Sequence, residues 1–244
     1  MKRKYVIAGV LFFAAAAVCL VMMLPKKTPK VVPPPKAEYA EAATEEADYQ
    51  SPINFAKLWK ENPDVCGWLE IPGTDITYPV LQNAEDDTLY LYHNIDKVYD
   101  VNGSLFTEHE YNSSDFSDPV TIIYGHHMKS GAMFGNLQRL YTDQFDELRE
   151  IVMYLPEEEL HYQVFAAVPY SNQHILYHYD GFQMVGDLES FAKSVFSVRA
   201  IGATVDDTVS VKEGDRLLIL STCLQGDNTC RFLVIGKLLQ GSDV

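Results

Sequence analysis

Cysteine is scarce in this chain, with four residues among 244, and one of them, Cys19, lies in an N-terminal apolar run. The other three are Cys66, Cys223 and Cys230, which are too few for a disulfide scaffold. Three cysteines cannot all pair within one chain, so at least one thiol outside the apolar run is free. A free thiol makes nucleophilic chemistry one of the functions to consider.

Basic residues are also scarce beyond the first 37 residues. In that part of the chain 12 lysines and arginines stand against 34 aspartates and glutamates, a net charge of about −22. A domain of this sign is repelled by nucleic acid and by anionic lipid, so we expect no nucleic acid partner. An acidic, solvated surface that keeps the domain soluble accounts for most of this charge.

Long apolar runs are absent apart from one, Tyr5–Leu24, where twenty consecutive positions carry no charge. A helix of about 20 residues crosses about 30 Å of hydrocarbon, so this run is predicted to be a transmembrane anchor. A cleaved signal peptide is the alternative, but its apolar region usually spans about 7 to 15 residues and ends at a small-residue site. No such site is apparent here, and lipidation of Cys19 is disfavoured because Val18 stands where a small residue is expected.

The anchor separates a short basic tail, residues 1–4, from a linker, residues 25–50, and one large domain, residues 51–244. Basic residues flank the anchor on both sides, so charge alone barely favours a cytoplasmic N-terminus. A single N-terminal anchor leaves the whole domain on one side. We therefore expect a single-pass protein of the cell membrane with a cytoplasmic N-terminus and an extracellular domain. Five prolines stiffen the linker before it turns acidic.

Short apolar or alternating runs separated by turn residues dominate the domain, which predicts a mainly β fold. The eight strand candidates are CGWLEI, ITYPVL, GSLFTE, PVTIIYG, IVMYL, HYQVFAAV, RLLILST and RFLVIGKLL. About eight strands with one or two inserted helices favour a closed eight-stranded β-barrel, which leaves no exposed sheet edge.

Three helices are predicted around these strands. INFAKLWKEN opens the domain with Phe55, Leu58 and Trp59 on one face, and GAMFGNLQRLYTDQF follows a GHH sequence. DLESFAKSVFSVR has apolar residues at helical spacing behind Asp187, which is predicted to cap its N-terminus. The apolar faces of the helices are interpreted as packing surfaces.

Cys223 ends one predicted strand, and Arg231 begins the next after a short loop. Consecutive strands joined in this way are normally antiparallel neighbours, so the two residues are expected near the same end of the barrel. A fixed positive charge beside a cysteine favours the nucleophilic thiolate, and a guanidinium also stabilises negative charge on a carbonyl oxygen. The alternative is a buried, inert Cys223 and a surface Arg231.

The second candidate element is GHH, in which His126 and His127 follow a predicted strand. An imidazole at a strand end is suited to protonating a leaving amine. The same residues are equally consistent with a structural role or with a metal site shared with Cys223 or Cys230. Spacing alone does not choose among these interpretations.

The segments TIIYGHHMKSGAMFGNL and LLILSTCLQGDNTCRFLVIGKLL resemble the histidine and cysteine-arginine signatures of the sortases, the membrane-anchored cysteine transpeptidases of Gram-positive bacteria. The likeness is greatest to class B, with further matches in GWLEIPGTDITYPVLQ, LYLYHNID and GSLFTE. It covers roughly residues 52–239, and the motifs occur in the family's order. Ile219 departs from the pattern, because the family often has threonine there.

This resemblance implies roles for individual residues. Cys223 corresponds to the nucleophile, His126 to the catalytic histidine and Arg231 to the arginine that stabilises the oxyanion or positions the substrate. His127 is not expected to be catalytic. Five further residues are implied for the substrate groove, namely Tyr124, Ser221, Thr222, Tyr90 and Leu91.

The implied reaction is attack by Cys223 on the threonine carbonyl of a C-terminal sorting signal of the NPxTx or LPxTG-like kind. An amine of the peptidoglycan precursor, or alternatively a pilin lysine, then resolves the thioacyl-enzyme. No metal or organic cofactor is expected. A non-enzymatic or zinc-binding cell-surface domain remains the alternative of another class. Cys230 is expected to point away from the groove, although a reversible disulfide with Cys223 is the competing possibility.

Overall fold

The computed structural model of the protein describes residues 49–239. No helix in this part of the chain is long and apolar enough to cross a membrane. The predicted tail, residues 1–4, and anchor, residues 5–24, lie outside the described residues, as does nearly all of the linker, residues 25–50.

Nine strands, four α-helices and two 3₁₀ turns form the described part of the chain. The strands are β1 Val65–Glu70, β2 Thr77–Leu81, β3 Leu105–Phe106, β4 Val120–Tyr124, β5 Glu150–Tyr154, β6 Glu159–Ser171, β7 Thr204–Val205, β8 Leu217–Leu224 and β9 Asp227–Leu238. The helices are α1 Phe55–Glu61, α2 Leu137–Asp143, α3 Ile175–His178 and α4 Asp187–Phe196, and the 3₁₀ turns are Leu89–Leu91 and Asp180–Phe182.

Eight of these strands form a closed ring. Neighbours follow the order β5, β1, β2, β3, β4, β8, β9 and β6, and pairing of β6 with β5 closes the barrel. The β2–β3 and β4–β8 pairs are parallel, whereas the other pairs in the ring are antiparallel. The predicted closed eight-stranded barrel is therefore confirmed. The ninth strand, β7, pairs with β6 outside the ring.

Strands β4, β8 and β9 are apolar along most of their length because both of their faces are covered. One face contributes to a core that draws residues from all eight ring strands, such as Leu218 and Leu220. The alternate residues, such as Leu217 and Ile219, pack with Phe191 in a second core beneath α3 and α4. This burial on two sides explains the continuous apolar runs. Because side chains alternate along a strand, it also shows which residues of β8 face the barrel interior and which face the helices.

The first helix packs on the outside of the barrel beside the Leu89–Leu91 turn. Phe55 and Leu58 are buried there, as predicted, but Trp59 is 42% exposed, so it does not share the buried face. The indole N–H of Trp59 donates instead to the carbonyl of Val65 over 2.9 Å. The helix is thus fastened to the start of β1 at its rim as well as through its apolar face.

The predicted helix over residues 131–145 is shorter than expected. It begins at Leu137, because Gly131 and Met133 adopt left-handed backbone angles, φ +86° and +53°, that interrupt a helix. The later helix, α4, starts at Asp187 itself and has Gly186 at its N-cap position. The prediction that Asp187 caps this helix was therefore wrong.

Candidate active site

Cys223 and Arg231 lie on adjacent antiparallel strands at one end of the barrel, as the sequence predicted. The two residues are directly opposite in the β8–β9 register, so their side chains project from the same face. Nη1 of Arg231 donates to Sγ of Cys223 over 3.0 Å. The guanidinium is therefore in direct contact with the sulfur atom, where it can also donate to a carbonyl oxygen brought to that sulfur.

The parallel pairing of β4 with β8 brings His126 to the same level. Tyr124 is opposite Ser221, and the backbone N–H of Gly125 donates to the carbonyl of Ser221 over 3.1 Å. Two residues beyond this pair, β4 has ended and is followed by His126, while β8 continues and carries Cys223. His126 and Cys223 are therefore at the same level of the barrel. Gly125 is required between them, because a Cβ there would lie 2.5 Å from a buried leucine side chain.

The His126 ring is oriented by the backbone of the 3₁₀ turn. Nε2 of His126 lies 2.7 Å from the carbonyl oxygen of Leu91, and because a carbonyl only accepts, Nε2 carries a proton. Nδ1 is then the ring nitrogen left for exchange with a substrate. The ring of Tyr92 lies against the imidazole, with 5.8 Å between the ring centroids and an interplanar angle of 39°.

Tyr124 and Ser221 lie two residues before His126 and Cys223 in the chain, on the outer face of the barrel wall. The Tyr124 hydroxyl donates to Glu108 Oε2 over 2.9 Å, and the ring stacks on that of Phe106. Burial and the neighbouring Glu108 carboxylate raise the pKa of the Tyr124 phenol, which therefore stays protonated. Nε2 of His174, from the segment before α3, contacts the other oxygen of Glu108 over 3.0 Å.

The inserted helices are joined to the same face through β6. Tyr170 is opposite Arg231 in the β6–β9 register, and its hydroxyl lies 2.8 Å from Oγ of Ser194 on α4. Glu108, His174 and Tyr170 were not identified from the sequence. Glu108 belongs to GSLFTE, a segment already singled out by its likeness to the sortases, but nothing in that segment indicates its partner 66 residues away.

Not every residue proposed for the groove lies beside the cysteine. Thr222 is 1% exposed and alternates with Cys223, so its side chain joins the face directed into the barrel. Tyr90 is also 1% exposed, and its hydroxyl donates to Asp64 and accepts from Asn62. Both residues support the site from within the core, whereas Leu91 reaches His126 through its carbonyl oxygen.

The three cysteines within residues 49–239 are free thiols, so Cys223 and Cys230 form no disulfide. Cys230 alternates with Arg231 along β9, which places the two side chains on opposite faces, as expected. His127 pairs with Met133 in an isolated β-bridge. Within the same residues, no three His, Cys, Asp or Glu side chains form a group that would hold a metal ion, so the zinc interpretation finds no ligand set there.

Cys66 has a different environment from Cys223. It lies on β1 beside a surface cleft of about 650 Å³, and the residues that line this cleft do not include Cys223 or His126. Sγ of Cys66 donates to the carbonyl of Val80 over 3.3 Å. Burial raises the pKa of the Cys66 thiol to about 12, so this residue is a neutral thiol at ordinary pH.

Arg231 in contact with Cys223, with His126 at the same level of the barrel, is the set of side chains that a cysteine acyltransferase uses when its thiolate attacks a carbonyl carbon. Comparison with known proteins identifies the family.

The sortase domain matches residues 69–239. Sortase B of Listeria monocytogenes is 33% identical over 191 residues, which cover 77% of this chain and 74% of the relative. The chain therefore belongs to the sortase family, as a sortase B-type cysteine transpeptidase.

Two solved structures show the same fold. A Streptococcus pyogenes class B sortase involved in pilus biogenesis is similar with a TM-score of 0.66 and 25% identity, covering 77% of this chain and 98% of the other. A Staphylococcus aureus sortase B–substrate complex is similar with a TM-score of 0.65 and 26% identity, covering 77% and 85%.

Proposed function

We propose that the protein cleaves a C-terminal sorting signal after its threonine and transfers the new carboxyl end to an amine of the cell-wall precursor. The observation that carries this proposal is the 3.0 Å contact between Arg231 Nη1 and Cys223 Sγ, at the level of His126. The similarity to a sortase B with bound substrate supports a sorting-signal substrate of the NPxTx or LPxTG-like kind.

In the first step the Cys223 thiolate attacks the threonine carbonyl carbon. Arg231 donates to the oxygen that becomes negatively charged, and His126 gives a proton to the departing amine. The peptide C–N bond breaks and a thioester remains on Cys223. In the second step the acceptor amine attacks the thioester, the C–S bond breaks, and the thiolate and the protonated histidine are restored.

The threonine side of the substrate is proposed to lie over Tyr124 and Ser221, on the outer face of β4 and β8. Tyr124 is held by Glu108, and Leu91 supplies the backbone at one wall. Thr222 and Tyr90 shape this groove from below, through the burial of their side chains in the core. These assignments predict that variants of Tyr124 raise the KM for the peptide more than they lower kcat.

Residues 5–24 are proposed to anchor the enzyme in the cell membrane by a single helix. The composition of that run and the proline-rich linker after it support this proposal. Protease treatment of intact cells tests the orientation, because the catalytic domain would be degraded while the tail at residues 1–4 is protected.

Pilin polymerisation is the second candidate function, supported by the likeness to the Streptococcus pyogenes enzyme. Both functions use the same thioacyl-enzyme and differ in the acceptor, which is a lysine side chain in a pilin. Competition between a peptidoglycan precursor amine and a pilin-derived lysine peptide distinguishes the two.

The full-length protein should be incubated with NPQTN-like, LPxTG-like and PPxTG-like peptides, with a primary amine present. We expect cleavage after the threonine and a new amide product for one of these peptides. Cys223→Ala and His126→Ala should be folded but inactive, and Arg231→Met should lower the rate of cleavage by about 100-fold. Wild-type product formation by the Cys223→Ala variant would contradict the mechanism and favour a non-enzymatic role.

A further inference from the structure

The strand that carries Cys223 has a different neighbour on each side, so Arg231 and His126 lie on opposite sides of the cysteine. Strand β8, which carries Cys223, lies between β9 with Arg231 and β4, which leads into His126. The carbonyl oxygen of the substrate belongs on the arginine side. The amine belongs on the histidine side, and the leaving amine and the incoming amine exchange protons with the same imidazole. The reacting amine therefore lies between His126 and the thioester carbon, and the rest of the acceptor extends past His126 toward Leu91 and Tyr92, which contact that ring.

The surface on that side is the 92–101 loop, which follows the 3₁₀ turn. The loop is a small hairpin in which His93 pairs with Tyr99, and the backbone N–H of Asp100 donates to the carbonyl of Tyr92 over 2.9 Å. The carbonyl of Ile95 accepts from the buried Asn62 over 2.8 Å. The loop is thus an ordered platform rather than a loose connection.

This ordered loop exposes apolar side chains to water. The four residues are Tyr92, Val98, Tyr99 and Val101, each between 44% and 67% exposed. Exposed apolar groups on a rigid surface beside a catalytic residue are typical of a binding surface, and tyrosine is favoured in such surfaces. Tyr92 joins the loop to the reacting groups, because its ring lies against that of His126 with 5.8 Å between centroids.

Charge on the loop suits a cationic occupant. Lys97 is its only lysine or arginine, and its ammonium is paired with Asp64 over 2.9 Å. Asp96 remains as an exposed carboxylate on the same turn. A peptide that ends in an ammonium group is attracted by this arrangement and by the acidic domain as a whole.

We propose that the 92–101 loop is the docking surface for the amine-bearing peptide that resolves the thioacyl-enzyme, and that Tyr92 selects for this acceptor. The inference rests on the transpeptidase function proposed above. The acceptor packs on the exposed ring of Tyr92, which places its amine beside His126. The ammonium first gives one proton to water, and the neutral amine then attacks the thioester carbon. The nitrogen gives its second proton to His126, the C–S bond breaks, and Cys223 leaves as the thiolate.

The experiment separates acceptor binding from chemistry by using nucleophiles of different size. The full-length protein is converted to the thioacyl-enzyme with the best sorting peptide, and three nucleophiles are compared: triglycine amide, Nα-acetyl-lysine amide and hydroxylamine. Hydroxylamine is too small to use the loop. Tyr92→Ala is compared with Tyr92→Phe and with Tyr177→Ala, a matched control on α3 whose side chain is 73% exposed.

We expect Tyr92→Ala to raise the KM for the preferred peptide amine by about tenfold, the effect of losing one aromatic contact in an interface. Because the Tyr92 ring also contacts His126, the rate with hydroxylamine measures any loss of chemistry, and the loss with the peptide amine should exceed the loss with hydroxylamine by about tenfold. Tyr92→Phe should restore the wild-type KM, and Tyr177→Ala should not change it.

Two results overturn the inference alone. One is an unchanged KM for the peptide amine in Tyr92→Ala, and the other is an equal loss with hydroxylamine, which makes Tyr92 only a support for the His126 ring. If the wild-type protein forms no thioacyl-enzyme with any sorting peptide, the proposed function fails and the inference fails with it.

Discussion

The three thiols of the domain differ in what surrounds each sulfur atom. Cys223 accepts a hydrogen bond from Arg231, whereas Cys66 is partly buried and donates to a backbone carbonyl. Among these three thiols only Cys223 has a hydrogen bond from an arginine. The difference between Cys223 and Cys66 is testable without any substrate.

Iodoacetamide should alkylate Cys223 long before Cys66 between pH 6 and pH 9. Burial raises the pKa of Cys66 to about 12, so only about 10⁻⁴ of it is thiolate at pH 8, and thiolate is the reactive form. Peptide mapping by mass spectrometry at successive times measures the order of labelling. Labelling of Cys66 first in the folded protein would contradict the environments described for the two residues.

The positions of some residues in the site were predictable from the sequence, and those of others were not. Cys223 and Arg231 flank one short loop, so hairpin pairing alone brings them together. Thr222 was predicted for the groove from the resemblance to the sortases, whereas strand alternation directs its side chain into the core. The contact of His126 with the Leu91 carbonyl was not predictable, because every residue has a carbonyl and the two segments are 35 positions apart.

The 3₁₀ turn is the element that sets the orientation of the catalytic histidine. It is held to the barrel by the Tyr90 hydroxyl, which donates to Asp64 and accepts from Asn62, each over 2.7 Å. Hydrogen bonds from Asn83 and Tyr90, with the Lys97 ammonium, outweigh burial and lower the pKa of Asp64. The Asp64 carboxylate is therefore ionised, and its lowered pKa depends on these three hydrogen-bond donors.

Tyr90→Phe should destabilise the fold by about 1–3 kcal/mol, because it removes one hydrogen bond from buried Asn62 and one from ionised Asp64. It should also lower kcat, since a displaced turn moves the Leu91 carbonyl away from His126. Denaturant unfolding measures the first effect and single-turnover cleavage the second. Full stability and full kcat together would show that the turn is held by packing alone.

The short strand β7 is fastened to the barrel by the residue that follows it. Asp206 accepts hydrogen bonds from Thr208 and forms an ion pair with Arg149. These hydrogen bonds, first from Thr208 and then from Arg149, lower the pKa of Asp206 from 3.8 to about 2. The folded state thus binds this proton less readily than the unfolded chain does.

Asp206 should therefore stabilise the fold above about pH 4, and this stabilisation should be lost as the pH falls toward about 2. The difference in free energy of unfolding between wild type and Asp206→Asn is expected to be largest near pH 7. It should decrease as the pH falls from about 4 to about 2. Urea unfolding at several pH values measures it. A difference that grows as the pH falls would have the wrong sign for this account.

Elements were predictable in proportion to their length and regularity. All eight ring strands were identified, because each has a run of apolar or alternating residues bounded by turns. Strand β3 has only two residues but lies within the longer predicted run GSLFTE, where both of its residues are buried. Strand β7 has two partly buried residues and α3 has four residues, and neither was predicted from the sequence. The start of α2 was misplaced, since the left-handed conformation of Met133 is set by its tertiary surroundings rather than by residue type.

At the scale of the whole molecule, the barrel brings together segments that are far apart in the chain. Strand β4 and strand β8 are neighbours although nearly a hundred residues separate them, and their parallel register, which ends with Tyr124 opposite Ser221, brings His126 to the level of Cys223. The local pattern predicts a barrel but contains no rule that pairs these two strands. From the sequence, only the resemblance to the sortases predicted that His126 and Cys223 belong to one site.

The proposed mechanism requires that Cys223 form a thioester with the threonine of a sorting peptide. Mass spectrometry detects this thioester in the intact full-length enzyme and in its peptides, after mixing with the three peptide classes and quenching at low pH. We expect an added acyl mass on Cys223 with one class, none on Cys66 or Cys230, and none in Cys223→Ala. A folded, reduced protein that acquires no adduct with any peptide, or acquires it on another cysteine, would contradict the mechanism.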